Sequence, residues 1–140
     1  MEIKSELFNM GMQMSTELWS LIYMGVFLLA LGLLPLIAKF IQNGLGKIIT
    51  RKDLPALEGW GDRAERSVRN LYESLPLFTI LALIVHFQNY SNETTAMGAI
   101  VFCVSRTLHP ATYIFNLYPL RTLTYVTAIV GMGMMGSVFF

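Results

Sequence analysis

The sequence predicts an all-α polytopic membrane protein, a bundle of four transmembrane helices. Two observations carry this. The chain of 140 residues is 54% hydrophobic and only 14% charged, with a mean hydropathy of +0.55, whereas an ordinary soluble domain carries roughly 25% charged residues. Its apolar residues are also gathered into runs long enough to cross a bilayer, which takes about 20 residues for a core roughly 30 Å thick. Four such runs use most of the chain, so residues 1–140 read as one domain with helices at about 17–41, 62–88, 94–116 and 120–140.

The first run, Leu18 to Ala38, holds no charged residue and ends at Lys39. Pro35 lies inside it as a candidate kink near the membrane edge, which bundled helices tolerate. The flank before it carries Glu2, Lys4, Glu6 and Glu17 rather than a basic start, and the run is too long for a cleavable signal peptide, so it reads as a retained helix. Gln42 to Asp62 is polar and turn-rich (Asn43-Gly44, Gly46, Pro55, Gly59, Gly61) and reads as a loop. The second helix is expected to start at Asp62 as its N-cap and to run to about Gln88. Asn89-Tyr90-Ser91-Asn92 is a short polar turn, and the third helix follows to about Asn116 with Arg106 and His109 inside it. Tyr118-Pro119 marks a tight turn before the last helix, whose Gly131, Gly133, Gly136 and Ser137 suit close helix packing.

Orientation follows from the basic residues. Lys39, Lys47, Arg51, Lys52 and Arg63 surround the long loop, and Arg121 follows the second turn, while the other face holds Lys4 against Glu2, Glu6, Glu17 and Glu93. Both termini are therefore expected away from the cytoplasm, in the inner membrane if the cell is bacterial. A net charge of +1 gives no footprint for nucleic acid. No Cys/His spacing suggests a metal site, and the lone Cys103, in an apolar run, reads as a small buried hydrophobe.

Charges placed at membrane depth are costly and usually mark function. On the second helix Arg63, Arg66, Arg69, Asn70 and Glu73 share a stripe about 120° wide at 100° per residue. Arg106, His109 and Tyr113 lie at i, i+3 and i+7 on the third, and Arg121 and Tyr125 at i, i+4 on the fourth. Bland readings exist for several: Arg63 as a residue snorkelling to the headgroups, Arg69 and Glu73 neutralising each other, His109 as a hydrogen-bonded core residue, the tyrosines as an aromatic belt. Yet Arg66, Arg69, Arg106 and Arg121 against Glu73 leave surplus positive charge, and an unpaired buried guanidinium costs several kcal/mol. The surplus calls for an anionic guest: carboxylates for the arginine forks, with Glu73 free to hold an ammonium group.

The run Arg63-x-x-Arg66-x-x-Arg69-Asn70-x-x-Glu73 followed by Ser74-Leu75-Pro76 resembles the second-helix signature of the MAPEG family, the membrane-associated proteins in eicosanoid and glutathione metabolism. Arg106-x-x-His109-x-x-x-Tyr113 and Arg121-Thr122-x-x-Tyr125 resemble its third and fourth helices, closest to the microsomal prostaglandin E synthase and glutathione transferase branch. The resemblance implies a homotrimer with glutathione, as co-substrate, held between neighbouring subunits on the cytoplasmic side. Arg66, Arg69, Asn70 and Glu73 would hold its backbone, and Arg106, His109, Tyr113 and Tyr125 would complete the cradle. Arg121 matches an arginine that stabilises the thiolate, with Thr122 where closer relatives place a serine. Leu71 replaces the aspartate of the prostaglandin branch, which sets the chain apart from that branch's isomerase chemistry. Lys39 is a candidate counterpart of a basic first-helix residue that contacts glutathione in some relatives. The implied function is a glutathione-dependent transferase or peroxidase acting on hydrophobic electrophiles that arrive from the bilayer; the alternative is a non-catalytic lipid-binding scaffold of the same family.

Overall fold

The computed structural model describes residues 2, 3, 5, 14–50 and 53–140. Lys4, Glu6, Arg51 and Lys52, which enter the orientation argument, lie outside them. The described residues form four long helices: α1 (Thr16–Thr50), α2 (Trp60–Phe87), α3 (Glu93–Ile114) and α4 (Tyr118–Gly136), with a 3-10 turn at Ser137–Phe139. The helices run up and down, so the ends of α1 and α3 and the starts of α2 and α4 share one end of the bundle.

By length and composition α1, α2 and the stretch Tyr118–Phe139 are apolar enough to cross a membrane. The 22 residues of α3 span roughly 33 Å at 1.5 Å per residue, but they include Glu93, Arg106 and His109. Position explains the tolerance. α3 packs against all three other helices, and its Arg106 and His109 are buried in protein, where an intramembrane charge is shielded from lipid.

The first helix departs from expectation at both of its punctuation marks. Helical geometry continues through Pro35, and the break falls at Gly44, whose backbone (φ 73, ψ 162) interrupts the helix before it resumes to Thr50. A left-handed φ is cheap only for glycine, so the Asn43-Gly44 pair breaks the helix without ending it. The expected loop from Gln42 thus begins only after Thr50. The start of α2 is corrected too: Gly59 is the N-cap, and Asp62 lies in the first turn, where its carboxylate pairs with Arg66 at 2.8 Å and favours the helix N-terminus.

The other end of the bundle is tied by polar contacts around α3. Asn92 caps it by accepting from the backbone N–H of Thr94 (2.8 Å) and Thr95 (3.0 Å), while Thr95 Oγ1 accepts from the Asn92 N–H (2.9 Å), a reciprocal capping box. Glu17, fully buried, accepts from the hydroxyls of Ser91 and Thr95 and so links the start of α1 to this cap. Between the two ends the core is built on Phe78 and Phe102, stacked at 4.1 Å, with Met24, Leu31, Leu71, Ala128 and Met135 around them. α3 and α4 approach most closely at Gly98 and Gly131. A Cβ on Gly98 would lie 2.5 Å from the Gly131 carbonyl, and one on Gly131 2.6 Å from that of Gly98. Gly133 and Gly136 face open space, so of the glycines on the last helix Gly131 makes the close approach.

Candidate functional site

The polar residues of α2, α3 and α4 meet at the bundle end that carries the α1–α2 and α3–α4 connections. Arg106 projects from α3 and is 2% exposed. Its Nη1 donates to Asn70 Oδ1 on α2 at 2.6 Å, while Nε and Nη2 are buried without a partner among the described residues. Its guanidinium lies 5.2 Å from the Tyr125 ring centroid and 5.7 Å from that of Phe102, so aromatic faces supply part of its compensation. One turn on, His109 bonds through Nδ1 to Thr124 Oγ1 at 2.7 Å and meets the Tyr113 ring edge-on at 5.1 Å. Arg121 on α4 lies over Tyr113 at 4.6 Å and Tyr118 at 4.9 Å.

These side chains border two cavities that share Asn70 and Tyr125. The first, about 150 Å³, is bordered by polar and aromatic residues: its walls add His109, Tyr113, Arg121 and Thr122. The second, about 330 Å³, has Arg106 and Glu73 beside Ser74 on its walls and Leu77, Ile129 and Met132 as its apolar part. A pair of chambers with cationic donors in each, one of them grading into apolar lining, can hold an anionic ligand beside an apolar one.

Of the residues singled out in the sequence, Asn70, Glu73, Arg106, His109, Tyr113, Arg121, Thr122 and Tyr125 line one or both cavities. Arg66 and Arg69 line neither; both are exposed on α2, and Arg66 is held by Asp62. Arg69 and Glu73 form no ion pair among the described residues, so the bland alternative in which they neutralise each other is not the arrangement found. Arg63 donates from Nε to the Ile114 carbonyl at 3.0 Å, satisfying one of the open carbonyls at the end of α3. Lys39 pairs with Glu65 at 2.8 Å, and Leu71 is buried in the core.

A model of the MAPEG family matches residues 18–140. The chain belongs to the MAPEG family. No curated protein and no solved structure matches it. MAPEG proteins are helical membrane proteins associated in general with glutathione, in line with the four-helix architecture and with adjoining cavities that each present one guanidinium. The match spans the whole site but does not single out the prostaglandin or transferase branch. Thr124, which bonds His109, is a polar contact of the site that escaped the sequence reading, as did the apolar wall of Leu77, Ile129 and Met132. The threonine's signal was there: it stands three residues after Arg121, on the same helix face.

Proposed function

We propose that this MAPEG chain is a glutathione-dependent transferase or peroxidase acting on hydrophobic electrophiles. The observation that carries the reading is Arg106, a buried guanidinium with two nitrogens unpartnered among the described residues, beside a cavity that also presents Asn70 and Glu73. A carboxylate of the tripeptide would take those donors, and Glu73 would hold an ammonium group. Arg121 and Thr122 would receive the sulfur. A free thiol with a pKa of about 8.5 is only a few per cent ionised at neutral pH, and a nearby cation raises that fraction. The thiolate then forms a bond to the electrophilic atom of the acceptor as the leaving group departs with its electron pair. The apolar walls, Leu77, Ile129 and Met132, suit an acceptor drawn from the bilayer.

The proposal includes a homotrimer with the thiol site closed by a neighbouring subunit on the cytoplasmic side. What supports it is the exposed α2 face, where Arg66 and Arg69 lie outside both cavities of the single chain and would be covered by a second copy.

Calorimetry on detergent-purified protein tests the ligand, and conjugation of glutathione to a chlorinated aromatic acceptor tests the chemistry. Arg121→Ala is expected to keep binding within a few-fold and to lose up to about 25-fold in turnover near pH 7, the fall in thiolate fraction when a thiol pKa of about 6.5 returns to about 8.5. Activity unchanged in Arg121→Ala would remove the mechanism. No glutathione binding by the parent, with a lipid co-purifying instead, would favour the scaffold reading.

A further inference from the structure

His109 is 3% exposed and has two ring nitrogens in different circumstances. Nδ1 lies 2.7 Å from Thr124 Oγ1, and Nε2 is buried without a partner among the described residues. Thr124 Oγ1 also lies 3.0 Å from the carbonyl oxygen of Arg121, to which it can donate. A threonine hydroxyl has one proton and two lone pairs, so these contacts can be filled in two ways.

If the hydroxyl donates to the Arg121 carbonyl, its oxygen is free to accept from Nδ1–H. Both short contacts are then hydrogen bonds, and what remains on the ring is an Nε2 lone pair. If the hydroxyl instead donates to Nδ1, the ring proton moves to Nε2. A buried N–H is then left with no acceptor, and the Arg121 carbonyl loses its side-chain donor. Orphaning a buried donor carries the full cost of its desolvation.

We propose that Thr124 is a positioning residue that holds His109 with its proton on Nδ1, so that Nε2 accepts a hydrogen bond from an N–H or S–H of the bound thiol peptide. The role is acceptance of a hydrogen bond, not of a proton. The smaller cavity is rich in donors, and the Asn70 oxygen is already occupied by Arg106. A neutral sp² acceptor on the opposite helix therefore orients a ligand that carries both donors and carboxylates. The ligand half of this inference rests on the glutathione reading; the tautomer half does not.

The chain has two histidines, and His86 lies at the other end of the bundle, its Nδ1 3.1 Å from Ser15 Oγ. His86→Gln therefore leaves His109 as the sole ring in a nitrogen-15 histidine spectrum of the detergent-purified protein. A protonated Nδ1 and a bare Nε2 are expected in this parent and in Thr124→Ser, whereas Thr124→Val moves population to Nε2–H. Glutathione affinity should fall about tenfold in Thr124→Val, the loss of roughly one hydrogen bond, and stay within about twofold in Thr124→Ser. An Nε2–H parent, or a valine variant with unchanged nitrogens, overturns the positioning role even if the valine variant folds poorly, since the parent spectrum alone decides the tautomer. A changed tautomer with unchanged affinity overturns the ligand half. The expected tautomer in a protein that binds no glutathione sinks the proposed function and leaves Thr124's role standing.

Discussion

Arg106 offers five N–H donors, and among the described residues its protein answers with one acceptor, the Asn70 oxygen. Uncompensated buried charge lowers stability, because a guanidinium taken out of water loses several kcal/mol of hydration that one hydrogen bond does not restore. Arg106→Met is therefore expected to raise the unfolding temperature of the ligand-free protein in detergent while abolishing glutathione binding. A variant that binds as the parent does, or one that is less stable without ligand, would contradict the idea that this guanidinium is kept for a guest. The same residue shows what was legible. An arginine inside an apolar run announces itself, and the inferred charge surplus holds for Arg106 and Arg121, which border adjoining cavities. It fails for Arg66, because a helical stripe gives a direction and not a neighbour: Asp62, one turn earlier, takes that charge. Glu17 shows the converse: in the sequence it is only one of the acidic residues before the first apolar run, yet it is fully buried because hydroxyls of Ser91 and Thr95, far along the chain, come to meet it.

At the scale of the elements, the meeting of α3 and α4 is set by the absence of side chains. Gly98 and Gly131 face each other backbone to backbone, and without a hydrophobic drive between helices in lipid such close approach is a main source of affinity. The pair also fixes the distance between Arg106 and His109 on one helix and Arg121 and Tyr125 on the other. Gly131→Ala must displace the Gly98 carbonyl and the Phe102 backbone, an overpacking that typically costs 1–3 kcal/mol. It should lower the unfolding temperature in detergent by several degrees and weaken glutathione binding, whereas Gly133→Ala, facing open space, should do neither. Equal behaviour of the two variants would show that the crossing tolerates a methyl group and does not set the cavity's width. The glycines were readable as packing residues, but the sequence names four small positions on the last helix, and only the partner helix selects Gly131. Helix ends were harder still. The apolar runs reveal the helices, but Gly44 interrupts α1 without terminating it, because hydrogen bonding resumes in the residues that follow.

At the scale of the molecule, burial decides how α3 crosses and the basic residues decide which way the bundle lies. α3 is the one long helix among the described residues that lacks a stretch apolar enough for a lipid-facing span, yet its Arg106 and His109 are buried where it packs against the other three helices, and a buried span needs less hydrophobicity than a lipid-facing one. Four crossings place the α1–α2 and α3–α4 connections on one side, and the α2–α3 turn with the C-terminus on the other. Single cysteines test this in a Cys103→Ala background, introduced at Glu58, Tyr90, Pro119 and Phe140, all exposed. In sealed cells a membrane-impermeant maleimide should label Tyr90→Cys and Phe140→Cys at once, and Glu58→Cys and Pro119→Cys only after permeabilisation, as the basic residues near the latter pair require. The comparison of Tyr90→Cys with Pro119→Cys is decisive for α3. If both react from the same side, α3 does not cross, and the cavity between Arg106 and Arg121 would open at the membrane surface rather than within the bundle. If the two pairs simply exchange sides, four crossings stand, but the site would face away from the cytoplasm and from the reduced thiols held there.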